Sequence, residues 1–419
     1  MPQTITEKIL SRVIGRAVTP GEIIYPEPDL ITTHDWYVVN FDSALQALGV
    51  DRLYAPEKLL ISTDHEPVAV SRQAAERQHA VRAIVRKYGI EHFYDVGRGG
   101  HGHIFPMELG YVAPGMLVLA YDPHVTNYGA AGCLGVSLVV EISEVLACGS
   151  AWIRVPDTVR VNLQGTLQPG VTVRDVAQRM IVDLGSDLVD YTVVEFGGPA
   201  LAAIDVDRRM TLCNTPVEIG AKSSLFETDQ ITEAWLKPRI GDRFEHIRSD
   251  PGANYKAAID YGLGLIEPQV AAPPTPDNVV GVSTVAGTKV DYAFIGSCAN
   301  SSLADLRDAA RILRGRKVSA GVRLIVTPGT QQIAAEAAAE GLVKVFIDAG
   351  AVLTAPGCGP CAGGRIGPLA PGEVSINTGT RNDPGRLGPR DADIYLASPL
   401  TVAASAVMGR ISDPREFVH

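Results

Sequence analysis

Three times between residues 290 and 361 an apolar run of strand length ends in a polar or glycine-rich stretch. "VDYAFIGSC" (290–298) leads into the amphipathic "SSLADLRDAARILRGRK" (301–317), and "GVRLIVTPG" (321–329) into "TQQIAAEAAAEGLV" (330–343). "AVLTAPGCGPC" (351–361) brings a third strand up to a pair of cysteines. Strands that alternate with helices build a parallel sheet, so this pattern commits the chain to an α/β fold. Ser302 is placed to cap the first helix, with Asp305 three residues on. Cys298 and the pair Cys358/Cys361 fall just past the carboxyl ends of strands, where open α/β sheets gather their ligand sites.

At 419 residues the chain exceeds one ordinary core and should divide into several domains. "EPQVAAPPTPDNVVG" (267–281) is proline-rich and aperiodic, which predicts an interdomain linker, and a softer boundary falls near 152–161. A formal charge of −10 argues against nucleic acid or an anionic membrane as partner. A few local arginines could still bind a small anion. The N-terminus has no apolar core of signal type, and no stretch is long and apolar enough to span a bilayer. Six cysteines are too sparse for a disulfide framework, so reduced thiols and a cytoplasmic location are expected.

The Cys-Gly-Pro-Cys frame of 358–361 raises a dithiol reading. Such a motif opens a long helix, whereas "AGGRIGPLAPG" follows here and cannot form one. Structural zinc needs four ligands, yet Cys298 stands alone and the only histidine after position 246 is His419. Three thiolates on converging loops suit a [4Fe–4S] cluster that leaves one iron with open positions. The remaining possibility is that all six cysteines are small buried residues, which is the expectation for Cys133, Cys148 and Cys213.

A set of segments settles the comparison: "GSCANSSLADLRDAA", "PGCGPCAGG", "TRNDPGRLG" and "YLASPLTVAASAVMGRISDP", with "STDHEP", "GHGHIFPMELG", "PGMLVLAYDPHVTNYGAAG" and "RRMTLCNTPVEIGA" before them. In order and spacing they resemble the motifs of the aconitase superfamily over nearly the whole chain, most closely its isopropylmalate dehydratase and homoaconitase large subunits. The resemblance implies three α/β domains (1–157, 158–280 and 281–419) around a central cleft, without the swivelling fourth domain of single-chain relatives. It implies that Cys298, Cys358 and Cys361 hold a [4Fe–4S] cluster with one open iron. Asp64, His65, His103, Asp122, His124 and Glu218 would serve acid/base steps, while Arg381, Arg386 and Asn214 would bind substrate. Glu108 lies five residues beyond His103, and the motif frame selects His103 over His101.

The implied function is that of a hydro-lyase acting on a substituted malate, 3-isopropylmalate or a homoaconitate-type acid first. Dimethylmalate, citraconate, maleate and a non-catalytic iron–sulfur sensor are the alternatives. A separate small subunit is expected to bring the swivelling domain and a serine base. Such chemistry needs this set: hydroxide leaves poorly unless it is protonated as well as metal-bound, and arginines grip carboxylates in bidentate fashion. Taken alone, His65 would be an ordinary loop histidine and Arg381 and Arg386 surface charges. Three departures stand near the site: Pro123 and Val125 where relatives carry serine and threonine, Thr380 where they carry asparagine, and Ala299-Asn300-Ser301-Ser302 after the first cysteine. With every ligand and acid/base match kept, these changes suggest an active enzyme with an unusual substrate.

Overall fold

A computed structural model describes residues 1–418. Three large sheets follow one another along the chain, beside a small antiparallel pair of Ile23–Ile24 with Ile153–Arg154. The first has five parallel strands in the spatial order His92–Tyr94, Leu59–Ser62, Leu30–His34, Leu117–Ala120, Leu134–Ser137. The second has four parallel strands, Ser223–Phe226, Val193–Gly197, Thr158–Gln164 and Ala257–Gly262. The third has seven, of which five are parallel: Asp393–Ala397, Val374–Asn377, Tyr292–Ile295, Arg323–Val326 and Val352–Leu353. Strand and helix alternate throughout, in accord with the α/β class read from the periodicity.

In the first and third sheets the strand order reverses beside the earliest parallel strand, Leu30–His34 and Tyr292–Ile295 respectively. Loops diverge at such a switch point and leave a crevice at the carboxyl edge. A hydrophobic core runs from Leu30, Leu60 and Val118 of the first sheet through Tyr128 to Ala293, Ile295 and Val326 of the third, so the two crevices are held against each other. The latch is made by backbone. His101 N–H donates to Gly329 O (2.8 Å), Gln331 N–H to Gly99 O (2.9 Å) and Cys358 N–H to Asp64 O (2.9 Å).

The helix expected after Cys298 spans Leu303–Leu313, and its end carries the expected reciprocal cap between Ser302 and Asp305. Elsewhere the structure departs from expectation. "TQQIAAEAAAEGLV" is not one helix: Gly341 takes φ +74° and separates Gln331–Ala339 from Leu342–Ala349. The proline-rich stretch 267–281 is not a free linker. Its two ends pair as antiparallel strands, Gln269–Ala271 with Val279–Gly281, and the former also pairs with Asp393–Ala397 at the edge of the third sheet. Prolines at 273, 274 and 276 fall in the turn between them, where no ladder donor is needed. Nor is Cys148 a buried cysteine: it is exposed at the end of the helix Ile142–Cys148, its thiol on Glu144 O (3.0 Å). Cys133 and Cys213 are buried as expected.

Candidate active site

Cys298, Cys358 and Cys361 are 5, 6 and 9% exposed and line one small cavity. His65, His101, Asp122, His124 and Arg386 form the rest of its wall. Each cysteine arrives on a loop past a strand end of the third sheet. Ser297, just before the first, holds φ +78°, a left-handed conformation that costs a serine of order 1–3 kcal/mol. Its hydroxyl donates to Thr378 O (2.8 Å), which ties the strained turn to the neighbouring loop. Cys358 and Cys361 flank a single 3₁₀ turn, with no long helix after it.

Polar hydrogens converge on the sulfurs. Asn214 Nδ2 lies 3.2 Å from Cys298 Sγ, His101 Nε2 3.2 Å from Cys358 Sγ, and Arg386 Nη2 3.7 Å from Cys361 Sγ. The Cys361 thiol is pushed up by burial, but Arg386 and the Thr380 N–H more than offset this and hold it below its ordinary value. Burial drives the Cys358 thiol well up. Among the described residues the tight three-donor groups, all within 4.8 Å, mix histidine with carboxylate and in one case Cys358; the three thiols do not form one. Thiols with wider spacing, each met by a polar hydrogen, match the donor set of a sulfide cluster better than that of a single ion. Buried Arg386 Nε and His103 Nδ1 also lack partners among the described residues.

Opposite the thiols stand histidine–carboxylate pairs from the first sheet. Asp64 follows the strand Leu59–Ser62, and its Oδ1 lies 2.7 Å from His65 Nδ1 while its Oδ2 accepts the Gly102 N–H (2.7 Å). Burial presses the His65 imidazolium down, but the Asp64 charge and hydrogen bond, helped by Asp35, prevail and raise it to about 9. The same pairing keeps Asp64 ionised against its own burial. His34 stacks on His65 with ring centroids 3.8 Å apart, and burial together with the His65 charge lowers it to about 3.

A second relay starts at Asp122, which caps the 3₁₀ helix Pro123–Ala131. Its Oδ1 accepts the His124 N–H (2.8 Å) and lies 3.0 Å from His124 Nδ1 and 3.1 Å from His103 Nε2. His124 Nε2 then reaches Glu218 Oε1 (2.9 Å), whose other oxygen accepts from Arg381 Nε (2.7 Å). Burial opposes charge on His124, yet Cys298 and Asp122 lift it well above the ordinary range. The site thus holds two cationic histidines, 65 and 124. It also holds two neutral ones, 34 and 101, the latter lowered by burial to about 3.

The departures fit this frame. Pro123 occupies the first helical position, where a missing N–H costs nothing, and leaves the Asp122 cap intact. Val125 is fully buried. Thr380 meets Cys361 through its backbone N–H, a contact that does not depend on the side chain.

Of the twelve site residues expected from the sequence, eleven line the cavity or bond to a residue that does, and Arg381 stands one step further out on Glu218. Asn214 does not share a helix with Glu218. Pro216 ends the helix Val206–Asn214, and Asn214 points at the Cys298 sulfur and Asn127 Oδ1 (2.8 Å). Glu108 turns away and accepts from Thr330 Oγ1 (3.0 Å). Three residues escaped sequence reasoning, His34, Asp35 and Arg174, and His101, set aside in favour of His103, lines the cavity as well. His101 carried a usable signal, since two histidines two apart in a glycine-rich loop can both face one cavity.

Residues 50–409 match the family model described as the aconitase family (aconitate hydratase). The 3-isopropylmalate dehydratase large subunit 1 of Methanopyrus kandleri is 39% identical over 419 residues, 100% of both chains. The corresponding large subunit of Moorella thermoacetica is 40% identical over 420 residues, again 100% of both. The probable large subunit of Methanothermobacter thermautotrophicus is 39% identical over 416 residues, 99% of both.

Proposed function

We propose, on the premise that this chain belongs to the aconitase family, that it is the large subunit of a hydro-lyase whose first-choice substrate is 3-isopropylmalate. The enzyme class follows from the family, and the substrate from the printed names of relatives alike over the full chain. One observation carries the reading: three buried thiols and two charged histidine–carboxylate pairs share a single cavity.

Cys298, Cys358 and Cys361 would hold a [4Fe–4S] cluster, which supplies a Lewis-acidic iron toward the substrate's hydroxyl and carboxylate. The protein's own part is proton placement and anion binding. Asp64 holds His65 protonated at neutral pH, so the imidazolium can deliver a proton to a departing hydroxyl. Asp122 and Glu218 bracket His124 from both ring nitrogens and fix its orientation. Arg386 keeps its Nε free of protein partners and Arg381 stands half exposed beside Glu218, which suits them to the substrate's carboxylates. Asn214 is assigned to the Cys298 sulfur rather than to substrate.

The base that removes the carbon-bound proton is assigned to a serine on a small subunit, the partner implied by the name "large subunit" of the relatives. The described residues contain no helix long and apolar enough to cross a membrane, and six unpaired cysteines suit a reducing compartment such as the cytoplasm.

The test is anaerobic co-purification with the candidate small subunit, followed by EPR and hydratase assays on a panel of alkene diacids. Turnover of the isopropylmalate alkene that needs both subunits supports the assignment. Turnover of another diacid alone corrects the substrate, and an intact cluster without any turnover refutes the hydro-lyase.

A further inference from the structure

Arg174 carries a buried charge close to the three-cysteine cavity. It is 3% exposed, yet no described carboxylate bonds to it. Its neighbour Asp175 is spent elsewhere, accepting from Thr172 N–H (2.7 Å) and Gln269 N–H (2.9 Å). Arg174 Nη2 donates to Gly379 O (2.7 Å), while Nε is buried without a partner. It also sits at the second position of the helix Val173–Leu184, where the helix dipole opposes a cation. Burial and the dipole both work against this guanidinium, so negative charge held nearby without a direct hydrogen bond must offset them.

The one carbonyl it holds shows where that charge is. Gly379 packs so near Cys361 that a Cβ there would stand 3.7 Å from Sγ. The next residue, Thr380, gives its N–H to the same sulfur, and the preceding one, Thr378, receives the Ser297 hydroxyl beside Cys298. Arg174 therefore reaches from a helix of the second unit into the back of the loop that cradles two of the three thiols. Burial presses its charge down, and the groups that oppose this are, in order, Glu218, Cys298, Asp175 and Cys361.

We propose that Arg174 is the counter-ion of the three-thiolate centre, a positioning residue that favours the reduced state of a bound cluster and keeps the Gly379–Thr380 backbone on Cys361. This rests on the cluster reading above. Arg174 is not among the residues lining the cavity and holds the loop at Gly379 O, so it acts through that loop and not on substrate.

The test compares wild type, R174Q and R174K, each reconstituted anaerobically with iron and sulfide in the full chain. An EPR-monitored redox titration reads the midpoint potential, and absorbance reads cluster loss in air. R174Q should shift the reduction equilibrium about tenfold toward the oxidised form, 59 mV downward for one electron. It should also lose its cluster faster, and R174K should restore most of both. An unshifted R174Q potential overturns the counter-ion. If R174Q holds no cluster, R174K decides: a cluster at the wild-type potential supports the proposal. A folded R174K without cluster overturns it in favour of simple packing. A wild-type chain that takes up no cluster refutes the underlying reading instead, and is told apart because it fails before any substitution.

Discussion

Asp64→Asn isolates the electrostatics on which proton delivery depends. The rise of His65 from 6.5 to about 9 corresponds to about 3 kcal/mol in favour of the imidazolium, at about 1.36 kcal/mol per pH unit. Burial acts the other way, so the pairing with Asp64 supplies more than this net figure. Asparagine keeps the shape and can still meet the Gly102 N–H, but it carries no charge. His65 should then titrate at or below its ordinary value, and at pH 7.5 its protonated fraction should fall from nearly all to about a tenth or less. Because the folded value is raised, the pair stabilises the fold fully below pH 6.5 and progressively less as pH climbs through 9. Asp64, whose folded value is lowered, contributes stability above its ordinary 3.8 and loses it as pH falls through the lowered value. Isotope-labelled histidine NMR on the chain follows the titration directly. The alkaline limb of kcat/KM should move down by more than two pH units in the variant. A His65 that still titrates near 9 in Asp64→Asn would refute the reasoning and shift the credit to Asp35 and Asp122, the other carboxylates that raise it.

Serine at Cys298, Cys358 or Cys361 should abolish stoichiometric iron and sulfide while leaving the far-UV spectrum unchanged, whereas exposed Cys148→Ser should retain both. Gly357→Ala should lower cluster occupancy several-fold: Gly357 holds φ +146° and its Cβ would meet Asp64 O at 2.5 Å, displacing the Cys358 loop. Gly363→Ala, whose Cβ would meet Trp36 only at 3.7 Å, is the milder control, and equal occupancy in the two would contradict the close-approach explanation. Arg209→Met should cost about 3 kcal/mol in denaturant unfolding. That guanidinium is fully buried and bonds Asp229 through both Nη atoms (3.0 and 2.5 Å), Thr232 Oγ1 and two carbonyls.

Local chemistry was legible without coordinates. The period of "VDYAFIGSC" and "GVRLIVTPG" specified strands, Ser302 and Asp305 specified a cap, and the glycines after Cys361 excluded a redox helix. Those signals act within one turn of helix or one strand, so sequence order exposes them. The motif frame likewise named twelve residues, of which the fold gathers eleven at the cavity or against its walls. It did not say which partner each would meet. The proline-rich 267–281 looked unstructured because its pairing partner, the strand Asp393–Ala397, lies more than a hundred residues away.

What the sequence determined by itself was the set of side chains and the strand ends that carry them. What only the tertiary structure decided was their state. His65, His101 and His34 are chemically the same residue, yet one is driven to about 9 and two to about 3. The difference arises from burial and from charges on other loops: Asp64 lies 2.7 Å from the His65 ring nitrogen but 3.8 Å from that of His101, where burial prevails. Arg174 shows the same rule, since nothing around "TVRDVA" indicates that Gly379 and the thiols lie beside it. Coulomb and desolvation energies depend on distance through space, and the chain brings those distances into being only when it folds.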